Sequence, residues 1–426
     1  MKKIIICTIA LSILFVLAAC VSHPVHVHYP TEESQDSESQ VIELQDSEPQ
    51  DSGSQDSEAQ DNSPQNSAPS LPGKIAIITQ ESFTQSAHHS SNWVIALTEE
   101  HGPENVIIYT WPTHNHNVTA TETEDMITKI AQNTEIGVLI IDPATYGTDH
   151  IVNILRQQRN DIFIAYIGYY TTTNPNANLI LSIDTEEMTR RFPSNAMELG
   201  ADTLIFFYDT MTWDDEVYVE SYIHGMMREK SAEIGLAFVE VDIAGAIQCG
   251  SSFAMFMTET IPPLLEEHGT NIVLYGLDNE RVFWDWRNNG FIYLPMYPSW
   301  YQLYPINLAV ELSILDSRAP NIGIYDTPQL IEEIKKDLEE RGLSGRIAAS
   351  PISQRMLLPL AAAEYGVRWM HGEVPYQGID TQVLHQIMFD LITQRTGLYH
   401  NITLTQFEEN GMHDNYILVL VDFLVY

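Results

Sequence analysis

Histidine is the side chain in this sequence whose spacing most directly suggests metal chemistry. His88 and His89 follow the first β-branched run, His114 and His116 follow the second, and His23, His26 and His28 lie near the amino end. His-x-His spacing offers two imidazoles to zinc, but a closed zinc site takes four ligands and outer partners that orient them. Solvated loop histidines account for the pattern without an ion, so neither a metal nor a cofactor is expected. Adjacent carboxylates such as Asp214 and Asp215 occur, but the chain carries 58 Asp and Glu and composition alone produces such pairs. Nothing local would split their pKa values into an acid and a base. A phosphate-cradling Gly-rich loop, Gly-x-Ser-x-Gly and His-Glu-x-x-His are all absent from the sequence. The residues point to binding rather than catalysis.

Aromatic residues are better placed. Phe83, Tyr146, Tyr169, Tyr170, Tyr208, Trp213, Tyr297 and Trp300 fall at or just past the carboxyl ends of runs expected to be strands. Those ends are where parallel sheets bind ligands. Any one such aromatic is as readily a core residue. Together they suggest a cleft that stacks on a flat or apolar ligand face, with Gln80, Asp142, Asp278 and Asn279 supplying hydrogen bonds. Ring faces and carboxylates favour a nucleoside-like, heterocyclic or cationic solute over an anion.

The elements that must position these residues alternate. Strands are expected over 74–79, 106–110, 136–141, 162–168, 179–183, 203–208, 237–243, 272–276 and 291–295. Helices are expected over 93–101, 123–132, 149–158, 186–199, 216–234, 253–268 and 280–289. Apolar strands buried on both faces and separated by helices imply parallel sheets with right-handed crossovers. There are more strands than one compact sheet usually carries, so the expected class is α/β, with two Rossmann-like lobes of parallel sheet joined by a hinge of crossing strands.

The ends and the charge set the context. Lys2 and Lys3 precede an apolar run from Ile4 to Leu17, and Leu17-Ala18-Ala19-Cys20 closes it. This is a signal peptide over 1–19, and its ending resembles the lipobox of bacterial lipoproteins, which implies acyl chains on Cys20. The apolar run is shorter than the ~20 residues of a membrane span. With Cys7 removed and Cys20 lipidated, Cys249 is the only remaining thiol and no intramolecular disulfide is expected. Residues 20–72 read as an acidic tether. Gln-Asp-Ser-Glu recurs at 35–38, 45–48 and 55–58, decays to Gln65-Asn66-Ser67-Ala68, and the stretch 31–70 holds eleven carboxylates. So polar a segment cannot bury enough surface to offset its chain entropy, and at that length it reaches about 35 Å. The formal net charge of −38 repels nucleic acid and anionic headgroups, so neither is an expected partner.

The order and content of the segments resemble the type I periplasmic binding proteins, the ribose-binding and LacI-like family. The motifs carrying the resemblance are Ile75 to Phe83, Leu139-Ile140-Ile141-Asp142-Pro143-Ala144, Ile164 to Tyr169, and Ile183-Asp184 followed by a helix, Gly200 and Thr203 to Phe207. Val273 to Asn279 and Gly345 to Pro351 followed by Gly372-Glu373 complete the set. The resemblance covers about 74–373. It implies a first lobe over 73–170 with about 343–373 returning to it, and a second lobe over 171–300. Segments 301–342 and 374–426 have no counterpart, although Tyr416 to Tyr426 reads as a buried strand. The family's sugar binders place an Arg before a Gly-aromatic pair, whereas Tyr222-Ile223-His224-Gly225-Met226 has none, so a pyranose or ribose is not the expected ligand. The implied function is a membrane-anchored, extracytoplasmic protein that captures a small molecule for the permease of an ABC importer. A surface sensor signalling to a membrane partner, or a zinc-binding lipoprotein, would use the same features.

Overall fold

The computed structural model describes residues 71–79, 93–111, 120–144, 148–168, 174–208, 213–243, 250–276, 286–287, 289–295, 304–315, 327–407 and 415–426. Of these, 120–122, 143–144, 148–150, 213–221 and 250–257 are described by their backbone alone.

The first sheet is built from runs in which nearly every side chain is apolar. Strands β1 (Lys74–Thr79), β2 (Val106–Thr110), β3 (Ile136–Ala144), β4 (Phe163–Gly168) and β5 (Leu179–Ile183) are parallel, in the order β2-β1-β3-β4-β5. Ile77 sits beside Ile108 on one side and Ile140 on the other. Because strand side chains alternate, β1 serves two cores. Ile75 and Ile77 pack with α1 (Trp93–His101), whereas Ala76 and Ile78 pack with α2 (Ala120–Gln132) and α3 (Thr148–Gln158). The sheet is thus covered on both faces, as parallel strands require.

The second sheet has β6 (Thr203–Tyr208) at its centre, with β7 (Ala237–Asp242) and β8 (Ile272–Tyr275) parallel on either side. Leu204, Phe206, Val273 and Tyr275 meet α4 (Thr185–Glu198) and α5 (Trp213–Ile234) on one face. Ile205, Phe207 and Leu274 meet α7 (Pro305–Glu311) and α8 (Thr327–Glu340) on the other, with Ile261 of α6 (Gly250–His268). Gly276, just past β8, has a φ of 92°, and a Cβ there would collide with the Phe207 carbonyl, so only glycine closes the strand this way.

The expected strand over 291–295 is reduced to single parallel bridges, Val273 to Ile292 and Tyr293 to Ile347. Backbone hydrogen bonds tie it to both neighbours: Ile292 N to Ile272 O at 2.9 Å, Tyr293 N to Arg346 O at 2.9 Å and Ala348 N to Tyr293 O at 3.0 Å. Beyond it, β9 (Ala348–Ala349) pairs antiparallel with β12 (Leu424–Val425). Of the expected helix over 280–289, only 286–287 and 289 are described, in helical conformation, with Trp286 fully buried in the second core.

Three segments cross between the sheets. The first leads from β5 through Asp184 into α4. The second leads from β9 through Ser350–Ser353 into α9 (Gln354–Met370), and the third from β11 (Tyr416–Val421) through Asp422 into β12. The two α/β lobes and their crossing strands match the expected class. The lobe boundaries differ from those read in the sequence. β5 lies beyond residue 170 yet pairs with β4 in the first sheet. Ile347 to Ala349 belong to the second lobe, so the return to the first begins with α9.

The segments without a counterpart find places too. Helices α7 and α8 pack in the second core, and α10 (Thr381–Thr396) packs beside α9 under the first sheet. Strand β11 joins that sheet parallel to β5, with β10 (Ile402–Gln406) antiparallel at its edge. The buried strand expected over Tyr416 to Tyr426 is divided into β11 in this sheet and β12 paired with β9. Gly366 lets α9 approach this sheet closely, since a Cβ there would lie 2.8 Å from Val138 Cγ1 and 2.9 Å from Phe163 Cδ1.

Candidate functional site

The carboxyl edge of the first sheet carries a row of small polar groups. In register, Thr110 stands beside Thr79, the Asp142–Pro143 irregularity of β3 faces the end of β4, and Gly168 stands beside Ser182. The register slip between Ile141 and Ala144 is a bulge-like break, and it follows from Pro143, which cannot donate to the ladder. Asp142 is only 1% exposed, in a sheet whose buried side chains are mostly apolar. Ser182 donates to the Gly168 carbonyl at 2.9 Å, tying the ends of β4 and β5 together. The fully buried Thr79 hydroxyl has no hydrogen-bond partner among the described residues.

At the corresponding edge of the second sheet, β6 ends on Tyr208, whose ring stacks on His224 of α5 with centroids 6.1 Å apart. His224 lies among Phe206, Phe238 and Tyr208 and pairs through Nε2 with Glu240 of β7, which also accepts from Arg228. Partial burial opposes ionisation of Glu240, but hydrogen bonds from Arg228 and His224 outweigh it and hold the carboxyl below its usual range. Sequence reasoning noted His224 only for lacking an Arg beside it. The signal it missed is spacing: Arg228 is one helical turn on and shares the face of His224.

Of the residues expected in the site, Asp142 lies in β3 and Tyr208 ends β6, each at the carboxyl side of its own sheet. Trp213 opens α5 and is described by backbone only. Gln80, Phe83, Tyr146, Tyr169, Tyr170, Asp278, Asn279, Tyr297 and Trp300 lie outside the described residues, as does Cys20. A groove of about 370 Å³ runs elsewhere, along the flank between α1 and edge strand β2, lined by Val94, Ile95, Thr98, Glu99, Gly102, Pro103 and Ile108. It borders the amino end of β2 and has few polar groups to orient a ligand, so the strand ends remain the better site. Among the described residues no helix is long and apolar enough to cross a membrane.

Two parallel-sheet lobes joined by three crossings place the chain in the two-lobed α/β class that the sequence resemblance implied. Over residues 74–348 it matches the model described as "Protein of unknown function (DUF3798)", and the chain belongs to that family. The match ends within β9, just before the second crossing.

A proposed transcriptional regulator from Clostridium difficile 630 shares the fold, with a TM-score of 0.67 at 16% identity over 84% of this chain and 99% of that one. A periplasmic ribose ABC transporter from Conexibacter woesei DSM 14684 (14% identity, 52% and 79% covered) superposes with a TM-score of only 0.34. A LacI family transcriptional regulator from Arthrobacter sp. FB24 in complex with lactose (11% identity, 72% and 94% covered) reaches 0.38. Both are too distant to carry a fold argument. No curated protein matches the sequence.

Proposed function

We propose that this chain is a lipid-anchored, extracytoplasmic solute-binding protein that captures a small molecule and delivers it to an ABC permease, without acting as an enzyme. The observation that carries the proposal is the division of the described residues between two sheet-based lobes joined by three crossing segments. Such a molecule can hinge around a ligand held at its strand ends. The signal peptide read over 1–19, Cys20 directly after it and the acidic tether support a position outside the cytoplasm. The aromatic residues at the strand ends favour a nucleoside-like, heterocyclic or cationic solute.

The test is mass spectrometry of what co-purifies, followed by melting curves with nucleosides, nucleobases and organic cations. A true ligand raises the melting temperature by mass action and shrinks the radius of gyration in solution scattering. Turnover of any of these compounds, or a radius unchanged by a ligand that stabilises, would overturn the proposal.

A further inference from the structure

Away from both strand-end edges, three donor side chains converge. Glu100 and His101 end α1, and Glu364 lies midway along α9, which packs beside α1 against the first sheet. One donor atom from each residue lies within 4.8 Å of the other two. His101 is only 8% exposed, and its imidazole has no hydrogen-bond partner among the described residues, while its backbone carbonyl accepts from Asn105 Nδ2 at 2.8 Å. A buried polar ring ordinarily has a partner.

We infer that Glu100, His101 and Glu364 form a binding site for a divalent first-row metal ion, with zinc the probe best matched to one imidazole and two carboxylates. Mixed nitrogen and oxygen donors suit such ions, and three protein ligands leave a position for water. Zinc bonds of about 2.0–2.2 Å put tetrahedral ligands about 3.4 Å apart, so the donors must draw together on binding. Glu100 is exposed and free to rotate inward.

Two arginines flank the site. Arg368 Nε donates to Glu364 Oε1 at 3.1 Å, which orients that carboxylate as an outer partner and leaves its second oxygen for the ion. Arg395, half-buried and within electrostatic reach of Glu99 and Glu100, is the competing cation that the metal would have to displace from Glu100. An ion here would staple the end of α1 to α9, so its binding free energy would add to folding stability.

The experiment titrates the full chain, stripped with EDTA, with zinc by calorimetry and with cobalt by visible absorption. The expected result is about one zinc per chain at this site and a zinc-dependent rise in melting temperature. Glu100→Gln and Glu364→Gln should each weaken zinc at least tenfold, since losing even an outer partner costs about 10- to 100-fold. His101→Ala should remove it. His101 is buried, so circular dichroism must accompany that variant, while the exposed Glu100→Gln tests the site without disturbing the core. No zinc uptake would overturn the inference. So would equal affinity in parent and variants, which would put the ion elsewhere on the chain.

Discussion

Arg191 Nη1 donates to Asp422 Oδ1 at 3.3 Å, joining two residues 231 positions apart. Arg191 follows the first crossing and Asp422 forms the third, so the pair clasps two of the three connections between the lobes. Asp422 also accepts from Asn401 Nδ2 at 3.1 Å through its other oxygen. Nearby, the Asp184 backbone N–H donates to the Val419 carbonyl at 2.9 Å, and its side chain caps α4 by accepting from Glu187 N at 3.0 Å.

These contacts differ in worth. Arg191 and Asp422 have side chains 33% and 43% exposed, so Arg191→Ala should lower stability by less than about 1 kcal/mol. Asp184 is buried and holds a helix N-terminus, and Asp184→Ala should cost about 0.5–2 kcal/mol. Urea midpoints at unchanged m-value would rank the two. A larger loss for Arg191→Ala would mean that the clasp, not the cap, secures the crossing.

Gly366→Ala should destabilise by about 1–3 kcal/mol, because its methyl group would press on Val138 and Phe163 in a packed core. Gly276→Ala should be worse, since it meets a backbone carbonyl and a positive φ at once. Denaturant melts check both. An unchanged midpoint for Gly366→Ala would show that α9 sits further from the sheet.

Acidification should weaken the fold in a definite window. Burial lowers the His400 pKa, with the nearby Asp422 charge opposing part of the shift. The folded state therefore binds this proton less readily than the unfolded chain. Stability from His400 is complete above its unfolded pKa near 6.5 and falls as pH drops through that value toward the folded one. Stability measured from pH 7.5 to 5 should decline, and His400→Gln should flatten the decline. Asp422→Asn should steepen it, because it removes the charge that favours protonation.

If strand-end aromatics clamp the solute, Tyr169→Ala and Trp213→Ala should each weaken binding by about 1–3 kcal/mol and leave the melting temperature of the free protein unchanged. Calorimetry with the co-purified ligand decides. Equal affinity in both variants would mark them as core residues.

Cys20→Ala should release the protein from membranes or stall its processing, because one lipid-bearing residue supplies the anchor in this proposal. Retention of the variant in a carbonate-washed pellet would refute lipid attachment.

The strands were legible in the sequence because runs such as Ile75 to Ile78 are apolar on both faces, which few other local structures tolerate. Which sheet each strand joins was not legible. Leu179 to Ile183 and Thr203 to Phe207 look alike as text, and only pairing separates them. The tail was opaque for the same reason, since Ile417 meets Leu181 across a separation that no local pattern encodes. Of the candidate site, the strand-end positions of Asp142 and Tyr208 were legible. Glu364 was not, because nothing in spacing links it to His101.

The tail has a consequence for how the molecule holds together. Residues 416–421 form an inner strand of the first sheet, and 424–425 pair with β9 in a two-stranded sheet of the second lobe, with Tyr426 buried in the second core. One short stretch is thus shared property. Truncation after residue 415 would strip a strand from each lobe, so neither half should survive as an excised fragment. The intact protein should melt in a single calorimetric transition rather than lobe by lobe.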